Sequence, residues 1–237
     1  MQTIKPNSAI TNLAQTAANF PACVFALRPE SVLSATQCRD VIGNVSLNKS
    51  GGGFVNNGNG TFTGGTGAIT GITGTLPSPL ATGKNPMLIV IGTLADAGKF
   101  CLGSDSPTVG GYGVNTSGNV IVSRDNLQYK TTPNLTMAGI SSGGLLLALD
   151  CAGNAGSVHA YSGGVYETAA LAAALGSLAG TWPALATEAQ MSDVGPYYGI
   201  YVLHWTNVPA ADECKRAIAW MAANPTLGLP PEWYLRT

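Results

Sequence analysis

Charge is scarce in this sequence. Asp, Glu, Lys and Arg make up 10% of its 237 residues, where soluble proteins usually carry about 25%. The formal net charge is −1, so no strong field draws the chain to nucleic acid or to an anionic membrane surface. Histidine occurs twice, as His159 and His204, and neither has a carboxylate at metal-ligand spacing. Cysteine occurs five times, at Cys23, Cys38, Cys101, Cys151 and Cys214, an odd and widely spaced set without a CxxC pair for zinc or a redox dithiol. Cys23 and Cys101 lie in strand-like runs and Cys214 in a helical one, which predicts buried free thiols in a protein made in a reducing cytosol. No apolar run reaches the ~20 residues that a membrane helix needs. Met1 to Ser8 lacks the apolar stretch of a signal peptide. These absences predict a chain made in the cytoplasm without an export signal, with no cofactor, no nucleic-acid partner and no membrane insertion.

Glycine, in contrast, is abundant: 31 residues, nearly twice the ~7% average share. Together with many Thr, Ser and Asn residues it suits a sheet protein with frequent tight turns. Residues 1–20 are polar, contain Pro6 and have no clear period, so they read as an N-terminal arm. Residues 21–237 read as one domain. Its first core element is Ala22 to Leu27, stopped by Arg28-Pro29. Within the Gly- and Asn-rich tract 48–74, Gly53-Phe54-Val55 and Gly60 to Thr63 read as short strands joined by Asn-Gly turns. Met87 to Leu94 is almost wholly apolar, as expected for a central strand buried on both faces. Lys99 to Gly103, Val109 to Val114 and Val120 to Ser123 continue the meander. Leu135 to Ile140 and Leu145 to Leu149 form a hairpin across Ser141 to Gly144. Val158 to Tyr161 is the next strand, and Ala169 to Leu178 reads as a short helix or a loop.

Tyr197 to Trp205 is a strand candidate running into an amphipathic helix over 210–223, followed by a tail over 224–237. Cys214, Ala217, Ile218 and Met221 recur at i, i+3, i+4, i+7 and form one apolar stripe. Asp212 and Glu213 occupy its first turn, where the helix dipole favours them, and Asn224-Pro225 ends it. One helix closing a series of strands predicts an all-β, two-sheet antiparallel sandwich, because alternating strands and helices would give βαβ units instead.

The strand ending in His204-Trp205, the Val208-Pro209 turn, the Ala-Asp-Glu helix and the Ala-Asn-Pro stop resemble the end of concanavalin A-like, LamG-type jelly rolls. Val24-Phe25-Ala26-Leu27-Arg28-Pro29-Glu30-Ser31-Val32 and the Gly/Asn tract resemble their opening, so the resemblance spans about residues 21–225. It implies a jelly-roll fold of the kind found in tail, fibre and head-surface proteins of bacteriophages. It also implies the single calcium that some such domains hold, without showing where.

Several motifs suggest chemistry. Gly139-Ile140-Ser141-Ser142-Gly143 matches the G-x-S-x-G nucleophile elbow, with Asp193 and His204 following in the order of a hydrolase triad. The elbow requires a strand, a sharp turn and a helix, whereas Leu145 to Leu149 is too short an apolar run for that helix. A hairpin turn accounts for it better. The paired carboxylates of a glycosidase would lie on one strand as E-x-D-x-E, and no such run exists. Asp150, Asn154 and His159 faintly resemble a lectin metal loop, although the remaining acidic ligands are missing. The chain is therefore read as a non-enzyme.

Aromatic residues gather in the last third. Trp205 and Trp220 lie on regular elements and read as packing groups. Trp182, beside Pro183, and Trp233-Tyr234, after Pro230-Pro231, read as surface groups. With Ile4 and Pro6 of the arm, Trp182, Trp233 and Tyr234 form the candidate contact surface. Added to low charge, the absent export signal and polar or Pro-rich termini, the resemblance to LamG-type domains implies a bacteriophage virion structural protein. The predicted role is a capsid decoration protein that clamps sister subunits or the major capsid protein lattice. A carbohydrate-binding tip that reads surface glycans through Trp182 or Tyr112 is the alternative.

Overall fold

The computed structural model describes residues 22–42, 45–51, 53–64, 69–74, 83–93, 113–116, 120–124, 127–132, 143–148, 155–174 and 195–234. The arm, with Ile4 and Pro6, lies outside the described residues, as do Lys99 to Gly103, Tyr112, Leu135 to Ile140, Asp150, Asn154, Trp182 and Asp193. Every strand pairing among the described residues is antiparallel.

The centre of the molecule is the pair β8 (Asn85–Gly92) and β15 (Tyr197–Trp205), joined from Leu203 opposite Met87 to Gly199 opposite Ile91. Met87, Ile89, Ile91, Tyr201, Leu203 and Trp205 are buried on one face, and Leu88, Val90, Ile200 and Val202 on the other. The continuous apolar run thus forms a strand covered on both sides, as its lack of alternation predicts. Gly92 is required where β8 ends: its φ is +153°, and a Cβ there would lie 2.5 Å from the Pro196 carbonyl oxygen.

Beyond β8 the larger, curled sheet continues through β12 (Gly143–Ala148), β13 (Ala155–Ser162), β14 (Val165–Ala174), β11 (Leu127–Thr132), β10 (Val120–Arg124) and β9 (Gly113–Thr116). Two sequence expectations fail here. The span from Ala169 is strand rather than helix or loop as far as Ala174, because β14 pairs with β13 along nearly its whole length and with β11 at Leu171 and Ala170. Pairing of this kind outweighs the helix propensity of an alanine run. Leu145 to Leu149 was expected to pair with Leu135 to Ile140. However, β12 is occupied on one edge by β8 and on the other by β13, so neither edge is open to that hairpin.

On its other edge β15 carries β1 (Cys23–Leu27) and, at Tyr197, β6 (Phe62–Thr63), which pairs with β5 (Val55–Asn56). A bulge between Cys23 and Phe25 shifts the register, so that Phe25 and Leu27 lie opposite Val202 and Ile200 while Cys23 and Ala26 lie opposite Leu203 and Tyr201. The second sheet is small: β2 (Val32–Ser34), β3 (Gln37–Arg39), β4 (Ser46–Lys49) and β7 (Ile69–Thr73). The chain around β5 stitches it to the first, since Phe54 N–H donates to the Ala35 carbonyl at 3.1 Å and Asn56 Nδ2 to the Pro29 carbonyl at 2.9 Å.

Helix α1 (Ala211–Ala223) lies over β12 and β13, and it places Cys214, Ala217, Ile218 and Met221 in the core beneath it. Lys215 and Arg216 are exposed, as the stripe predicts. The tail departs from expectation. A short helix α2 (Pro231–Tyr234) folds back, and Trp233, expected at a surface, is buried with its ring edge-on to Trp205 at 4.8 Å and 84°. The Pro230-Pro231 pair turns the tail inward, and an aromatic group that can close the open end of an apolar core is more stable there than in water. Tyr234 is the last residue of that helix. Trp205 is buried and Trp220 packs at the core margin, as expected for both.

Candidate functional site

Among the described residues the buried polar side chains are Arg28, Ser31, Asp40, Lys49, Thr61, His159 and His204, and Arg28, Lys49 and His159 each gather partners from more than one part of the chain. Arg28 ends β1, where a 3-10 turn over Pro29–Ser31 follows. Its guanidinium donates to the Tyr201 hydroxyl at 2.7 Å, the Thr226 carbonyl at 3.1 Å and the Glu30 carboxylate at 3.0 Å. One side chain thus fastens the first strand, the last strand and the segment after α1. Gly199 makes room for the hydroxyl partner: a Cβ there would lie 2.6 Å from the Tyr201 oxygen. Burial raises the Tyr201 pKa and the Arg28 charge opposes that rise, so the phenol remains a neutral acceptor for Arg28.

Lys49 lies on the buried face of β4 with Leu47. Its ammonium donates to the Gly64 carbonyl and stands 5.0 Å from the centre of the Phe54 ring. Burial lowers its pKa to about 8, and the nearby Cys38 thiol opposes that shift. Cys38 and Cys23 are themselves pushed up to about 12, chiefly by burial, so both are inert thiols at neutral pH. Cys23, Cys38 and Cys214 are free and buried, in line with the sequence reading.

The third group lies on the helix-facing side of β13 and β14. Ser157 Oγ is 3.0 Å from His159 Nε2, and His159 Nδ1 is 2.7 Å from the Tyr166 hydroxyl. The Thr168 hydroxyl donates to the Val158 carbonyl at 3.0 Å, and burial raises the Tyr166 pKa while the neighbouring Thr168 side chain opposes that rise. Strand alternation explains the gathering: Ser157 and His159 are two residues apart on β13, and Thr168 lies opposite His159 on β14. From α1, Lys215 reaches over the Tyr166 ring at 5.3 Å, with Asp212 and Cys214 nearby. His159 is buried and its pKa is lowered by that burial, so the imidazole is neutral at pH 7.

The sequence reading set His159 aside as a strand histidine and did not see Ser157, Tyr166 or Thr168 beside it. The i, i+2 spacing of Ser157 and His159 was a signal. The contribution of β14 was hidden because its alanines masked the strand. Arg28 was read only as a strand stop. His204, considered as a triad histidine, is buried on β15, where burial and then Lys84 lower its pKa to about 4. Among the described residues no three His, Cys, Asp or Glu side chains gather as a metal cluster, and no helix is long and apolar enough to cross a membrane. Of the predicted contact residues, the structure places Trp233 in the core and describes Tyr234 through its backbone.

No family model and no curated protein matches the chain. Among solved structures it resembles part of the Trypanosoma rangeli sialidase in complex with 2,3-difluoro-KDN, at 13% identity and a TM-score of 0.40, over 87% of this chain and 33% of that one. The covalent intermediate of the same sialidase with 2,3-difluorosialic acid matches at 12% identity and a TM-score of 0.37, over 81% of this chain and 32% of that one. This chain therefore spans about a third of the length of those structures. A likeness at this level carries no conclusion about activity or substrate.

Proposed function

We propose that the chain is a non-enzymatic structural protein, a stiff β block that buries surface against neighbouring copies or a larger shell. The finer form of this reading is a jelly-roll decoration protein of a bacteriophage capsid, bound to sister subunits or to the major capsid protein lattice. The finer form is supported by the resemblance of the Arg28-Pro29-Glu30-Ser31 opening and the His204 to Pro225 ending to LamG-type domains. The broader form rests on one observation: exposed apolar side chains gather at the end that the Arg28 clasp makes rigid. Leu33 on β2, Val55 on β5 and Leu227 beside Thr226 are 59%, 49% and 49% exposed. The loop after β5 reaches this end too, since a Cβ on Gly60 would lie 3.0 Å from the Thr226 side chain. With charge at 10% of residues, little on the surface opposes association there.

The test is sedimentation velocity across a concentration series. The wild-type chain is expected to form larger species, alone or on addition of capsid shells. A Leu33→Asp, Val55→Asp double variant is expected to lose them while keeping its thermal midpoint. A chain that stays monomeric, leaves shells bare and instead gives a signal on a glycan array would replace this reading with the carbohydrate-binding one.

A further inference from the structure

Two Asn-Gly steps, Asn57-Gly58 and Asn59-Gly60, follow one another between β5 and β6, and the sequence contains no others. At such a step the glycine nitrogen can add to the asparagine side-chain carbonyl, because no Cβ crowds the five-membered ring that closes. The loop holds the two steps differently. Thr61 N–H and the Thr61 hydroxyl both donate to Asn59 Oδ1, at 3.2 Å and 2.6 Å. The hydroxyl proton is free to do so, since the Thr61 oxygen accepts from Asn57 Nδ2 at 2.9 Å and an amide nitrogen only donates. Two donors on one carbonyl oxygen draw electrons from its carbon and meet the negative charge that an adding nucleophile places there. Among the described residues the Gly60 N–H has no acceptor.

Asn57 has the opposite setting. Its Nδ2 is tied to Thr61, and no described donor reaches its Oδ1. The Gly58 N–H, which must lose its proton before attacking, is held by Asn56 Oδ1 at 3.0 Å. Both asparagines are exposed, so access to solvent does not separate them.

The geometry points to Asn59 as a self-modification site, at which the folded chain directs deamidation to one of two chemically alike Asn-Gly steps. In the step, hydroxide from solvent takes the Gly60 amide proton, and that nitrogen bonds Asn59 Cγ. The carbonyl electron pair moves onto Oδ1, between the two Thr61 donors. It returns as the bond to Nδ2 breaks, and Nδ2 leaves as ammonia with a proton from water, which restores the hydroxide. A second water opens the cyclic imide at either carbonyl and gives an aspartyl or an isoaspartyl residue at position 59. The sum is one water consumed and one ammonia released. Either product adds one carboxylate, so the formal net charge moves from −1 to −2. The isoaspartyl form also lengthens the main chain where a Cβ on Gly60 would lie 3.0 Å from the Thr226 side chain. The modification is independent of the structural role proposed above.

The unfolded chain is the internal control. In guanidinium the Thr61 donors are lost and both asparagines precede glycine, so the two sites should react at about the same rate. The experiment incubates the full chain at mildly alkaline pH, folded and in guanidinium. Each site is followed by peptide mapping with mass spectrometry, and labelling with a protein-isoaspartate methyltransferase identifies the isomer. In the folded chain Asn59 is expected to deamidate about threefold to tenfold faster than Asn57, the range that a net hydrogen bond supplies. Thr61 is buried, and Thr61→Val keeps its shape while removing the hydroxyl donor. That variant should slow Asn59 about threefold or more, and Thr61→Ser should keep the wild-type rate.

Equal rates at the two sites in the folded wild type would overturn the inference, as would a faster Asn57. Two unreacted sites in the folded chain, once the unfolded chain has been converted, would overturn it too. So would an unchanged Asn59 rate in a Thr61→Val variant with native near-UV circular dichroism. The wild-type comparison needs no variant and decides the matter even where Thr61→Val does not fold.

Discussion

Under α1, the β8–β15 half of the large sheet is dry and the β13–β14 half is polar. At β8 and β15, Met87, Ile89, Leu203 and Trp205 meet Ile218 and Met221 of the helix, and Trp233 closes the end. On β13 and β14 the same face presents Ser157, His159 and Tyr166, linked through the imidazole by hydrogen bonds, with Thr168 opposite His159. The dry half is held by area removed from water and needs no particular geometry beyond good packing. In the polar half only the imidazole is buried, and each of its ring nitrogens has a hydroxyl partner. The first arrangement tolerates exchange of one apolar group for another of similar volume. The second depends on specific partners, although Ser157 and Tyr166 are half-exposed and can turn to water when one is lost.

Breaking the dry half should have the largest effect. Trp205→Ala removes a fully buried ring and the partner of Trp233, and a loss of about 3–5 kcal/mol is expected in guanidinium unfolding. A loss below about 1 kcal/mol would mean that Trp233 and the tail do not depend on the core.

The next effect is read by pH, since β15 and β13 each carry one buried histidine. The folded pKa of His204, on the face of β15 away from Leu203 and Trp205, is about 4, depressed by burial and then by Lys84 from the ordinary value of 6.5. As pH falls below 6.5 the unfolded chain takes up a proton that the folded chain refuses. Stability is therefore full above 6.5 and is lost as pH falls towards about 4, by about 3 kcal/mol in all. His159 is depressed in the same direction by burial and adds to the same loss. Denaturation midpoints measured from pH 7.5 to 4 should fall monotonically, and a flat profile would contradict the burial of both rings.

The smallest effect should come from His159→Leu. It deletes two hydrogen bonds, but Ser157 and Tyr166 are half-exposed and can turn towards water, so about 1–2 kcal/mol is expected at neutral pH. The variant should also lose less stability on acidification than the wild type, because it no longer buries that imidazole. The combination of a modest cost at pH 7.5 and a shallower acid slope distinguishes a polar link from a packing residue.

How much of this was legible beforehand depended on whether a pattern was local. Met87 to Leu94, Tyr197 to Trp205, the short strands around Phe54 and Phe62, and the Cys214 to Met221 stripe each carry their period within about a dozen residues, and each formed the expected element. The Ala-rich strand β14 was not legible, because alanine favours a helix in isolation and only the edges of β13 and β11 made it a strand. The expected hairpin of Leu145 to Leu149 failed for the same reason, since glycines beside an apolar run announce a turn without naming the strand's partners. Of the polar group, only His159 lay in the expected strand Val158 to Tyr161; the i, i+2 spacing that puts Ser157 on its face was available but fell just outside that strand. Tyr166 and Thr168 arrive from the next strand, and their contribution depends on register.

The chain's own order of residues determined the antiparallel β character, the helix over Ala211–Ala223, the buried thiols of Cys23, Cys38 and Cys214 and the scarcity of charge, because each follows from spacing or composition within a short window. Tertiary structure decided which strands lie side by side, that Trp233 turns inward against Trp205, that Arg28 fastens Tyr201 to Thr226, and that the His159 ring stands between the Ser157 and Tyr166 hydroxyls. Those outcomes depend on distances between residues far apart in the chain, and a one-residue slip in register would send every one of those side chains to the opposite face.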